Sequence, residues 1–116
     1  MGLARDLRSR RVIPLREVVV TAWANEEGVP FTLYCTAISC YDLDQLQKKH
    51  PKFLESTTIG AMVDLILMKA TDEGGEKLFK HAEDRIDLMG EETAVISSIA
   101  QQMFAEIESV ENQIKN

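Results

Sequence analysis

The sequence predicts an α+β domain: an N-terminal β-hairpin packed on a small bundle of about four helices, the last of them long. Three observations carry this expectation. A β-branched run and an alternating run flank a turn near the N-terminus. An apolar stripe of helical period runs from Ile59 to Ala70, and apolar residues recur every three or four positions from Ile96 to Ile114. At 116 residues the chain is one domain's worth. Residues 1–15 read as a basic, flexible arm and residues 16–116 as the single domain.

In chain order, "EVVVTAW" (Glu17–Trp23) has the composition of a strand, and "NEEG" (Asn25–Gly28) that of a turn, with Gly28 free to take positive φ. "FTLYCTAI" (Phe31–Ile38) alternates, with Phe31, Leu33, Cys35 and Ala37 on one side, and Pro30 stands where a missing N–H is tolerated. An isolated hairpin is marginal in water, so its apolar face is expected to lie on helices or to join another chain's sheet. Ser39 and Asp42 form a capping box that starts a helix near Cys40, with Leu43 and Leu46 facing inward and Pro51 stopping it. A second helix opens after Ser56 or Thr57. Ile59, Met62, Val63, Ile66, Leu67 and Ala70 give it one continuous stripe, and between 59 and 71 only Asp64 and Lys69 are charged, so it is expected at the centre of the core. "HAEDRIDLMG" predicts a short helix stopped by Gly90. Glu91 to Ile114 predicts a long one, in which Ile96, Ala100, Met103, Ile107, Val110 and Ile114 step by four and three in a coiled-coil-like rhythm.

Charge is unevenly spread. The formal net charge is −6, yet residues 1–16 hold Arg5, Arg8, Arg10, Arg11 and Arg16 against Asp6 alone, a net +4 that leaves −10 for the remaining hundred residues. An acidic body is a poor general nucleic-acid binder, because phosphate contacts depend on Lys and Arg. Two readings of the arm stay open: a small nucleic-acid-touching segment, or a mobile terminus that orders against an acidic partner or not at all. No apolar run reaches the length of a membrane span and no secretory leader is recognisable, so the chain reads as cytosolic.

A search for chemistry finds little. Cys35, Cys40, His50 and His81 are separated by four, nine and thirty residues, which matches no zinc pattern. Cys35 reads as a buried hydrophobe and Cys40 as part of a helix start. "TDEGGEKLF" lacks the alternating oxygen ligands of a calcium loop and the Gly-Lys-Ser/Thr of a phosphate loop, and its carboxylates would repel a phosphate. It is expected to cap a helix and turn tightly, with Gly74 or Gly75 left-handed. His81 near Asp84 and Ser39 near Asp42 show no nucleophile, base and orienter together. No enzyme activity and no cofactor are implied.

The order of parts resembles a known family, the tail assembly chaperones of long-tailed (siphophage-type) bacteriophages. The residues that carry it are "VVVTAWANEEGVPFTLYCTAISCYDLDQLQKKHPKF", with its D-L-x-x-L-x-K-x-H-P helix, and "MVDLILMKATDEGGEKLFKHAEDRIDLM", with its D-x-x-G-x-x-L-F turn and D-x-x-x-L helix. "VISSIAQQMF" follows, and the similarity covers roughly residues 12–110. The resemblance implies a non-enzymatic protein of the host bacterial cytoplasm that coats the hydrophobic tape-measure protein. It also implies help in recruiting the tail-tube protein through a longer, frameshifted form; the closing "IKN" is compatible with a slippery codon string. A homo-oligomer is implied, with no nucleic acid and no membrane as partner. The runner-up is a virion structural protein, such as a tail-completion or head–tail connector component.

The resemblance implies a module with an adaptable apolar groove, and methionines suit one. Met62, Leu65, Ile66 and Met68 with Met103, Phe104 and Ile107 are the candidate partner-binding residues. Hairpin edges at Val18–Val20 and Phe31–Leu33, that is Val18, Val20, Phe31 and Leu33, with Val110 and Ile114 at the C-terminal seam, are the candidates for self-association. Ordinary core is the plainer reading of each, above all of Ile66 and Met62.

Overall fold

A computed structural model describes residues 2–10 and 14–115, with side chains described for all of these except 81 and 105–115. The α+β expectation holds. Strands β1 (Arg16–Val20) and β2 (Phe31–Cys35) pair antiparallel, and helices α1 (Leu3–Ser9), α2 (Cys40–Lys49), α3 (Ile59–Lys69), α4 (His81–Met89) and α5 (Thr93–Lys115) make up the remainder. The arm expected to be irregular carries the two turns of α1, none of whose residues is buried.

The hairpin register places Val18 opposite Leu33 and Val20 opposite Phe31. Both strands are shorter than the sequence suggests: β1 ends where Thr21–Trp23 winds into one 3-10 turn, and β2 ends at Cys35. In the connecting loop the Asn25 side chain accepts from the N–H groups of Glu27 and Val29, at 2.9 and 3.1 Å. Gly28 takes φ +82°, a left-handed conformation that side chains disfavour. Alternation puts Val18, Val20, Leu33 and Cys35 on the inner face, each at most 4% exposed. This corrects the assignment of Val18, Val20 and Leu33 to self-association: they are core, and only Phe31, 39% exposed at the margin, keeps surface.

Both edges of the hairpin are also covered in part. Beyond β2, Tyr34 and Thr71 exchange backbone hydrogen bonds at 2.9 and 2.7 Å, and Thr71 in turn bridges to Lys77. On the β1 side the Gln102 side chain of α5 acts as a substitute strand. Its Oε1 accepts from the Val19 N–H and its Nε2 donates to the Val19 carbonyl, both at 3.0 Å. A strand edge with its central groups occupied is a poor template for another chain. Gln102→Ala is expected to lower stability by about 1 kcal/mol and to raise the aggregation rate. A denaturant titration and light scattering check this, and unchanged values in both would show that the clasp is idle.

The helices follow from their caps. Ser39 Oγ accepts from the Asp42 N–H while Asp42 Oδ2 accepts from the Ser39 N–H, each at 3.0 Å, completing the predicted capping box. α3 starts slightly later than expected, with Thr58 Oγ1 accepting from the Ala61 N–H. It is covered nearly all round: Ala61, Val63, Asp64, Leu65, Ile66 and Leu67 are buried, and α2, α4 and α5 pack on it. From α5, Ile96, Ile99, Ala100 and Met103 complete the core.

The Gly-Gly segment corrects one expectation. α3 ends at Lys69 with Ala70 already extended (φ −69°, ψ 125°), so neither glycine caps the helix. The chain instead turns back on itself at Asp72. Its carbonyl accepts from Gly75, its Oδ1 from Glu76, and its N–H donates to the Glu76 carbonyl. Gly75, at φ +88°, makes that turn possible. "TDEGGEK" is thus a miniature hairpin that brings Thr71 against β2. Gly90 stops α4 as expected, although in a right-handed conformation (φ −84°).

Candidate functional site

Among the described residues, the predicted partner-binding side chains do not all line one groove. Leu65, Ile66 and Met103 are at most 1% exposed, because α5 packs directly over α3 and fills the space between them. They are corrected to core. Met62, Met68 and Phe104 are half-buried and keep some surface. Met62 offers its sulfur to the Ser97 hydroxyl at 3.8 Å, and the Phe104 ring tilts against Phe53 at 5.5 Å. Six residues apart on α3, Met62 and Met68 lie on different faces. The side chains of Ile107, Val110 and Ile114 lie outside the described residues, as does that of His81.

Met68 has the better site. With Leu46 and Leu67 it floors a groove of about 250 Å³ between α2 and α3, which Gln45, Lys48, Lys49, Lys77 and Asp64 also line. The cationic lining is set by α2, whose last turn carries lysines that favour a helix C-terminus, and by the miniature hairpin, which carries Lys77.

Asp64 of this groove is also the middle of a polar centre that sequence reasoning missed. Asp64, in the middle of the apolar α3, has a side chain only 7% exposed. Its Oδ1 accepts from Arg85 Nε of α4 and its Oδ2 is hydrogen-bonded to His50 Nε2 at the end of α2, both at 2.8 Å. Burial works to raise its pKa. The hydrogen bonds from Arg85 and His50, with the charges of Arg85 and Lys49, outweigh burial and hold it below the ordinary aspartate value. One carboxylate therefore ties three helices together. The available signal was a lone acid inside an apolar stripe, since such a charge needs partners.

Two further clasps are similar. Lys69 Nζ donates to Asp42 Oδ2 and Thr36 Oγ1 at 2.8 Å and reaches the Ala37 carbonyl at 3.3 Å, fixing the β2–α2 connection to the end of α3. Burial raises the Asp42 pKa, but its bonds to Lys69 and Ser39 prevail and lower it. Trp23 Nε1 donates to Glu91 Oε2 at 2.8 Å, and its ring meets Phe31 and Phe79 edge-on at 6.1 and 6.3 Å. The hairpin is thereby pinned to the corner between α4 and α5.

Chemically, His50 and Asp64 bond each other rather than a nucleophile, and no hydroxyl among the described residues hydrogen-bonds the imidazole. Cys35 is buried and Cys40 exposed, and neither is in a disulfide. Among the described residues no three His, Cys, Asp or Glu side chains are grouped to hold a metal ion, and no helix is long and apolar enough to cross a membrane. Comparison with protein-family models, with curated proteins and with solved structures gives no match.

Proposed function

We propose that this chain is a non-enzymatic binding module of the tail-assembly-chaperone kind, acting on a phage tape-measure protein in the cytoplasm of the host bacterium. The single observation that carries the reading is the Met68 groove, an apolar floor with a lysine lining on an otherwise acidic body. A methionine floor adapts to varied side chains, and the lysines favour apolar segments with acidic neighbours. Residues of the resembling motifs build its walls: Leu46 and Lys48 belong to the D-L-x-x-L-x-K-x-H-P helix, and Asp72 makes the turn that presents Lys77. Many copies of such a module on an aggregation-prone target would cover its apolar surface and add negative charge.

Co-expression with the tape-measure protein encoded beside it tests the reading. The soluble yield of the tape-measure protein should rise several-fold, and Met68→Glu, which places a charge on the groove floor, should remove most of the gain while the fold persists by circular dichroism. No gain with the unaltered chain would overturn the proposal. Detection of the chain by mass spectrometry in purified virions would favour the structural-component reading instead.

A further inference from the structure

Two exposed faces of this molecule are both apolar and carry opposite charge. On α1, Leu3 and Leu7 are 70% and 49% exposed, and they stand one turn apart on the same side of the helix. Arg10 continues that side and Arg8 flanks it. On α4, Ile86 and Met89 are 76% and 45% exposed. Ile86 and Met89 follow Ala82 along one strip, and Glu83 and Asp87 form the strip beside it. From Ala82 to Glu92 five carboxylates stand against Arg85 alone, and the Arg85 side chain bonds inward to Asp64. Each helix therefore carries two large apolar side chains out in solvent, with opposite charge around them.

We propose that α1 of one molecule docks on the outward face of α4 of a second copy, with Leu3 and Leu7 on Ile86 and Met89, and Arg8 and Arg10 facing Glu83 and Asp87. The occupant is a second copy because α1 buries none of its residues on its own chain, and because the net +3 of residues 1–15 complements the acidic body it would meet. The two patches differ, so the contact is head-to-tail and leaves one α1 and one α4 unfilled in every open assembly. Such a contact grows into rings or filaments rather than stopping at a dimer. A helix about 10 Å long covers little area, far less than the roughly 1,600 Å² of a standard interface. Each contact is therefore weak alone and gains strength where several copies are held side by side. The contact is independent of the tape-measure reading and would exist for any target, or for none.

Sedimentation velocity of the full chain over a concentration series tests it. The mean mass should rise with concentration at low salt and fall back towards the monomer in about 0.5 M salt, where charge is screened over a few ångströms. The arm reversal Arg8→Glu with Arg10→Glu should weaken association at least about tenfold, and so should the helix reversal Glu83→Lys with Asp87→Lys. All four positions are exposed, so circular dichroism should show both variants folded. Mixing the two reversed proteins should restore association, because each arm then meets an α4 of opposite charge. A chain that stays monomeric at every concentration, association untouched by either reversal, or a mixture that fails to reassociate would each overturn the proposal.

Discussion

Phe53→Ala is expected to destabilise the protein by about 3–5 kcal/mol. Phe53 is 1% exposed and lies in the connection between α2 and α3, outside any helix or strand. Its N–H donates to the His50 carbonyl at 2.9 Å, its carbonyl accepts from Thr57 Oγ1 at 3.0 Å, and its ring tilts against Phe104 of α5. The ring thus seats the connection on the core, and alanine would leave a cavity that helices held from several sides cannot close. For a domain of this size the melting temperature should fall by roughly 15 °C, as read by a thermal scan. The neighbour Leu54 is 67% exposed, so Leu54→Ala should change stability by no more than about 0.5 kcal/mol. Equal effects at the two positions would mean that the connection is not anchored by the Phe53 ring.

That pair shows which parts of the fold are legible in the sequence and which are not. Phe53 and Leu54 are both apolar, adjacent and in a segment without period, so composition gives no reason to bury one and expose the other. Where a period exists, the reading succeeds: alternation puts Leu33 and Cys35 on one face, which is buried, and the Ser39–Asp42 spacing specifies the capping box. Contacts between distant segments leave no periodic trace. The Thr71 bridge to Tyr34 is a single residue pair, and the Gln102 clasp on Val19 spans eighty-three positions. The candidate site was misread for a related reason. Helical period shows which residues share a face, but not whether another helix already covers that face, and α5 covers Leu65 and Ile66. Met68, on the flank of the stripe, keeps its surface open in a groove.

Asp64→Ala is expected to cost about 3 kcal/mol, because it removes the acceptor shared by two side chains that fold against it. The lower end of the range for broken buried pairs applies, since Arg85 and His50 are 38% and 23% exposed and can turn towards water. Asp64→Asn keeps the shape and one acceptor oxygen and should cost less. The acid dependence of stability separates charge from shape. Asp64 and Asp42 both lie below their ordinary value of 3.8 in the folded protein. The unfolded chain therefore binds protons first as pH falls, and it binds more of them between the two values. The stabilisation these carboxylates provide is fully present above the unfolded value and drains away as pH falls from there through the depressed folded values. In Asp64→Asn one of the two contributions is missing at every pH, so denaturant titrations below about pH 5 should show a shallower loss of stability than in the unaltered protein. The gap between the two proteins should narrow as pH falls. A gap that stays constant down to the lowest pH at which the protein folds would mean that Asp64 acts through packing alone, and that its bonds to Arg85 and His50 do not hold α2, α3 and α4 together.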